Sequence, residues 1–130
     1  MTEAGMEPDA SSQRRRREQS GRRAETAAAL WLQLKGYRVL ERRARTPACE
    51  IDLVVRKGRT LVFVEVKSRR TIDAARESVT PDLRRRLEQA PRLWAGRRRN
   101  VADLIWRFDM VLLAPGRFPL HVRDAWRAES

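Results

Sequence analysis

Ile51-Asp52-Leu53-Val54-Val55-Arg56-Lys57-Gly58-Arg59-Thr60-Leu61-Val62-Phe63-Val64-Glu65-Val66-Lys67 is the stretch whose reading decides the fold. Two apolar runs rich in β-branched residues flank a polar turn containing a glycine, the pattern of a β-hairpin. A two-residue turn at Lys57-Gly58 sets Arg56 opposite Arg59, Asp52 opposite Phe63 and Glu50 opposite Glu65. Directly opposed residues share a face, and side chains alternate along a strand. Glu50, Asp52, Glu65 and Lys67 therefore project to one side, and Ile51, Leu53, Val64 and Val66 to the other. A four-residue loop keeps this parity, whereas a three-residue loop splits the set.

Three carboxylates on one sheet face repel one another unless a cation or a base compensates them. Lys67 supplies a single positive charge. The remaining negative charge suits Mg²⁺ or Mn²⁺, since hard cations take oxygen ligands. An acid on one strand followed by Glu-x-Lys on the next is what metal-assisted phosphodiester hydrolysis needs, with the lysine placed to orient or polarise water. The alternative is a solvated strand face laced by ion pairs with the many arginines, because Glu-x-Lys alone is short and common.

Around the hairpin, Gly21 to Lys35 has the spacing of a helix, with Ala24, Ala27, Ala28, Trp31 and Leu34 on one stripe. Glu25 lies in its first turn, where the helix dipole favours a carboxylate and where small apolar neighbours can draw it inward. Gly36 ends that helix and Tyr37-Arg38-Val39-Leu40 begins a strand. Ser68 to Val79 is polar and predicts a mobile loop. Thr80-Pro81-Asp82 starts a further helix, which Pro91 is expected to kink or break. Leu104 to Ala114 and Leu120 to Val122 read as two more strands, with His121 at a strand edge. The order α-β-β-β-α-β-β predicts an α/β fold with a mixed sheet flanked by helices.

The first twenty of the 130 residues combine glycine, proline, serine and the run Arg14-Arg15-Arg16-Arg17 with almost no apolar anchor, which predicts a disordered basic tail over 1–20. Residues 21–127 are then one domain with one core. No apolar stretch approaches a membrane span and the N-terminus does not read as a secretion leader. The single cysteine, Cys49, excludes an internal disulfide and suits a reducing cytoplasm. With 29 basic and 17 acidic side chains the formal net charge is +12, which points to a polyanionic partner held through its phosphates. Only Lys35, Lys57 and Lys67 among the bases are lysine. A GC-rich genome accounts for that skew to arginine, but not for the excess of positive charge. Arg84-Arg85-Arg86 and Arg97-Arg98-Arg99 give the second helix a basic surface. No Cys/His zinc spacing, glycine-rich phosphate loop or internal repeat is present.

Gly21-Arg22-Arg23-Ala24-Glu25, Gly36-Tyr37, Glu50-Ile51-Asp52-Leu53, Val62 through Arg69 and Arg107-Phe108-Asp109 together resemble the bacterial YraN family, in order from Gly21 to about Trp126. That family is similar to the restriction-endonuclease-like superfamily, which also contains the Holliday junction resolvases. The resemblance implies that Asp52 and Glu65 are metal-binding acids, that Lys67 is the catalytic lysine and that Glu25 is a helix-borne catalytic glutamate. It also implies that the backbone carbonyl of Val66 completes the metal shell. Departures are Cys49 in place of a usual glycine, Arg43 in place of a common asparagine, Leu83 at or beside a usual lysine, and a shorter loop after Arg70.

The expectation is a cytoplasmic, Mg²⁺- or Mn²⁺-dependent endonuclease-like protein acting on DNA, with Arg69, Arg84, Arg85 and Arg86 contacting nucleic acid. Junction-cleaving relatives imply a branched substrate and a homodimer, although nothing in the sequence marks a self-complementary face. Two rivals remain open. One is a DNA- or RNA-binding module of the same fold without efficient catalysis. The other is a protein-interaction partner that uses the basic surface.

Overall fold

A computed structural model describes residues 10–125. The elements run α1 (Ala10–Leu34), β1 (Arg38–Arg45), β2 (Glu50–Lys57), β3 (Thr60–Ser68), α2 (Ile72–Glu77), α3 (Pro81–Ala95), β4 (Ile105–Leu113) and β5 (Leu120–Val122). The five strands form one sheet in the order β1-β2-β3-β4-β5. All neighbours are antiparallel except β3 and β4, which are parallel. Parallel neighbours need a long crossover, and this one contains α2 and α3.

The expected hairpin is present, with its turn one residue further on. Lys57 pairs with Thr60 and Leu53 with Val64, so Gly58-Arg59 is the turn, and Gly58 takes the positive φ of 61° that the reversal needs. The register therefore differs by two residues from that expected, which preserves parity. Continuing it places Asp52, rather than Glu50, across from Glu65.

The two faces are covered separately. On one, Ala24, Ala28, Ala29 and Leu32 of α1 pack with Leu53, Val55, Val62, Val64, Val66 and Val111. On the other, Leu87, Ala90, Trp94 and Ala95 of α3 pack with Val54, Leu61, Phe63 and Phe108. Phe63 centres that layer, its ring 5.7 Å from Trp94 and 5.9 Å from Trp106. Ile51 breaks the expected alternation. It belongs with Ala44 and Phe63 on the α3 side, not with Leu53 on the α1 side. The break falls at Asp52 and faces Arg43, which has a left-handed φ of 56° between Arg42 (paired with Leu53) and Ala44 (paired with Ile51).

Three further expectations are corrected. Helix α1 begins at Ala10 rather than Gly21. The tail's Gly5 and Pro8 precede that point, and the arginines, glutamines and glutamate after it are good helix formers. Residues 1–9 lie outside the described residues. The supposed loop after Ser68 contains α2, capped by the Thr71 hydroxyl accepting from the Ala74 N–H at 3.0 Å. Ile72 and Ala75 of α2 pack on Met110 and Leu112. Helix α3 continues through Pro91 without a break, with Leu87, Ala90, Trp94 and Ala95 buried on both sides of it. Anchoring both halves on the sheet offsets the hydrogen bond that a proline cannot donate.

Candidate metal and nucleic-acid site

The middle of α1 and the ends of β2 and β3 enclose an open pocket of about 630 Å³ lined by Gly21, Ala24, Glu25, Asp52, Glu65, Val66, Lys67, Ser68 and Arg69. Each side chain arrives for a local reason. Glu65 and Lys67 alternate with Val62, Val64 and Val66, which pack on the α1 side, and at the end of β3 residues of both rows, Glu65, Val66 and Lys67, line the pocket. Asp52 sits at the break in β2, where its Oδ2 accepts the Val66 backbone N–H at 2.8 Å. A carboxylate thus takes the place of a ladder hydrogen bond, joining β2 to β3 at the pocket. Gly21 and Ala24 present little or no side chain on the helix wall.

Glu65 is buried and lies 3.2 Å from Lys67 Nζ. Burial, then the negative charge of Asp52, pushes the Glu65 carboxyl up to about 8, against the pull of Lys67. Burial also raises Asp52, opposed chiefly by the Val66 N–H. Two carboxyls that both resist ionisation are short of positive charge. Glu25, likewise buried, accepts from Arg43 Nε at 2.7 Å.

Asp52, Glu65, Val66, Lys67, Glu25 and Arg69 are thus brought to one pocket. Glu50 is not. It is exposed and faces Arg45 at 3.7 Å, because the break at Asp52 separates it from the row it was expected to share. Among the described residues, no group of three or more His, Cys, Asp or Glu side chains converges as a metal cluster. The donors that fit a hard divalent cation are the two oxygen-bearing acids Asp52 and Glu65, both with excess proton affinity, and the Val66 carbonyl as a neutral oxygen.

The expected phosphate-contacting arginines lie in two places. Arg69 is exposed at the pocket. Arg84, Arg85 and Arg86 lie on α3, where Arg84 meets Glu88 at 3.2 Å and Arg85 meets Asp82. Arg86 is exposed, and its charge opposes the burial that pushes the Cys49 thiol up, placing it on the Cys49 side of the molecule.

Sequence reasoning missed a second polar centre. Asp109 is fully buried; Arg107 grips it with Nε and Nη2 at 2.8 and 2.7 Å. His121 Nε2 lies 2.7 Å from the same carboxylate and the Asp124 N–H donates to it at 2.9 Å. Burial works against the Asp109 charge, yet the bonds from His121, Arg107 and Asp124 hold it below the usual carboxylate range. Lys35 Nζ is 2.6 Å from His121 Nδ1, and Arg107 also donates to the Tyr37 hydroxyl at 2.7 Å. His121 is on the edge strand as expected, but its side chain is only 2% exposed. The available signal was the Arg-x-Asp alternation in β4, which puts Arg107 and Asp109 on one face.

A family model described as "Uncharacterised protein family UPF0102" matches residues 24–113. A UPF0102 protein of Parvibaculum lavamentivorans is 58% identical over 107 residues, covering 82% of this chain and 80% of that protein. One from Maricaulis maris is 50% identical over 113 residues (87% and 89%). One from Methylorubrum populi is 48% identical over 123 residues (93% and 98%). These matches bear out the resemblance to the YraN group, and the sheet with flanking helices is consistent with a restriction-endonuclease-like fold. Among the described residues no helix is long and apolar enough to cross a membrane.

Proposed function

The chain belongs to the uncharacterised protein family UPF0102, and from that premise we propose that it is a metal-dependent, nuclease-like protein hydrolysing phosphodiester bonds in DNA. The observation that carries this reading is the convergence of Asp52, Glu65 and Lys67 on one pocket, with both acids held in a state that a cation would relieve. Asp52 and Glu65 would hold Mg²⁺ or Mn²⁺, with the Val66 carbonyl as a third oxygen. When bound, such an ion stabilises charge on a phosphate and lowers the pKa of water. Lys67 lies beside Glu65 at the pocket, where its side-chain nitrogen orients a water or a phosphate oxygen. Arg69 at the pocket and Arg86 on α3 bind the backbone without reading sequence. A branched DNA is the substrate suggested by the likeness to junction resolvases, and a homodimer the assembly.

One observation favours a second reading, a nucleic-acid-binding module with weak catalysis. Glu25 is engaged by Arg43 instead of joining the acid pair. The deciding experiment incubates branched, flapped, single-stranded and linear DNA with Mg²⁺ or Mn²⁺ and wild-type protein, Asp52→Asn or Lys67→Ala. The nuclease reading expects both ions to raise Tm in wild type and Lys67→Ala but not in Asp52→Asn. It also expects cleavage that falls about a hundredfold in Lys67→Ala, the scale of deleting one preorganised charge. Salt-dependent DNA binding with no cleavage by wild type would establish the binding module instead.

A further inference from the structure

Arg43 is placed with unusual backbone expense. Its φ of 56° lies in the left-handed region, which long side chains avoid because Cβ crowds the following carbonyl. Asn100 and Asp124 also have positive φ, but their short polar side chains tolerate it. Arg43 has no such advantage, and a strained residue is retained where its surroundings use it. Here the conformation falls across from Asp52, where β2 loses its alternation, and the guanidinium reaches α1 to donate to Glu25 Oε1 at 2.7 Å. The Glu25 side chain is 10% exposed and that of Arg43 33% exposed. Glu25 shares the pocket with Asp52 and Glu65, yet the three acids do not converge as a cation cluster among the described residues.

We propose that Arg43 is a positioning residue that locks Glu25 into an ion pair at the wall of the pocket and keeps it out of the cation's shell, leaving Asp52 and Glu65 as the binding carboxylates; this rests on the metal-site reading above. Charge gives the lock a purpose. Glu25, Asp52 and Glu65 carry three negative charges when ionised, and Lys67 with Arg43 two positive ones. With a divalent ion bound and all three acids ionised, the cluster is therefore net +1, which attracts a phosphodiester. Without Arg43 the loaded cluster would be neutral. The lock sacrifices some cation affinity and gains attraction for the anionic substrate.

The test measures Mn²⁺ affinity by calorimetry for wild type, R43N, R43K, E25Q, R43N/E25Q and D52N, and the affinity of each Mn²⁺-loaded protein for a short DNA duplex. R43N suits the left-handed backbone, so it folds without the guanidinium, and R43K keeps the charge on the strained backbone. R43N should bind Mn²⁺ about tenfold more tightly, from one charge acting across a partly buried site. It should also bind DNA more weakly when loaded. R43K and R43N/E25Q should both lie within about threefold of wild type for Mn²⁺, and E25Q should weaken it by less than about tenfold. A purely structural role would not move the two affinities in opposite directions. If E25Q weakens Mn²⁺ binding as severely as D52N, Glu25 is a ligand and the lock is wrong. Unchanged Mn²⁺ affinity in R43N overturns it equally. If wild type takes up no Mn²⁺, or D52N binds as wild type does, the metal-site reading fails and the lock fails with it.

Discussion

Glu65→Gln should reverse a pH-dependent weakness built into the metal-free protein. The carboxyl is raised from 4.5 to about 8 by burial and by Asp52, so the native state holds its proton more tightly than the unfolded chain does. For a group raised in this way, its contribution to stability is full below the unfolded value. It declines as pH rises between the two values and is lost once pH passes the folded one. A rise from 4.5 to about 8, at about 1.4 kcal/mol per pH unit, corresponds to a loss on the order of 4 kcal/mol between pH 5 and 9. Glutamine keeps the shape, cannot ionise and removes that slope. For a domain of this size, the loss corresponds to a Tm difference of about 10–20 °C between the two proteins at the alkaline end, relative to pH 5.

The assay is thermal unfolding of wild type and Glu65→Gln in chelator from pH 5 to 9, read as the difference between the curves so that titrations not linked to the Glu65–Asp52 pair cancel. Proton and cation compete for the same oxygens. Mg²⁺ should therefore restore wild-type stability most strongly at high pH and do little for Glu65→Gln. Parallel pH profiles for the two proteins would refute the reasoning, because the Glu65 proton would then not be linked to folding.

Asp109→Asn should destabilise the protein by up to about 3 kcal/mol in denaturant unfolding, since it leaves the part-buried Arg107 without its counter-charge. The folded carboxyl lies below its ordinary value, so wild type should lose this stability as pH falls through that folded value, and Asp109→Asn should lack that acid limb. Replacing Arg84, Arg85 and Arg86 together by alanine should weaken DNA binding alike for all sequences and flatten its salt dependence by up to about three phosphate contacts in a salt titration. The change should be smaller if Glu88 and Asp82 keep Arg84 and Arg85 occupied.

The sheet and its flanking helices were legible because burial imposes period two on strands and 3.6 on helices. Thr80-Pro81 marked the start of α3 by cap chemistry alone. What remained hidden depended on contacts distant in sequence. Pro91 reads as a kink or a break because the sequence does not reveal that both halves of α3 are held on the sheet. Helix α2 is six residues long, too short for a period, and its evidence is the Ile72 and Ala75 contact with β4. The Asp109 centre joins Lys35, Tyr37, Arg107 and His121 across α1's end, β4 and β5, and no local window contains that set.

The candidate site was readable for a different reason, and its partial misreading is instructive. Parity survives a two-residue slip in register, so placing Asp52, Glu65 and Lys67 together did not require the turn to be located correctly. Parity does not survive a break within a strand, and β2 breaks at Asp52 itself. Ile51 consequently crosses to the α3 side and Glu50 leaves the pocket. The same break frees the Asp52 carboxylate to take the Val66 N–H, and across it Arg43 adopts the left-handed conformation that reaches Glu25. A regular β2 would pair backbone with backbone at this point and leave Asp52 on an ordinary strand face. The irregularity that defeats the alternation rule is therefore what converts a row of alternating acids into a pocket. Local rules fail here because the chain spends regularity on positioning these groups.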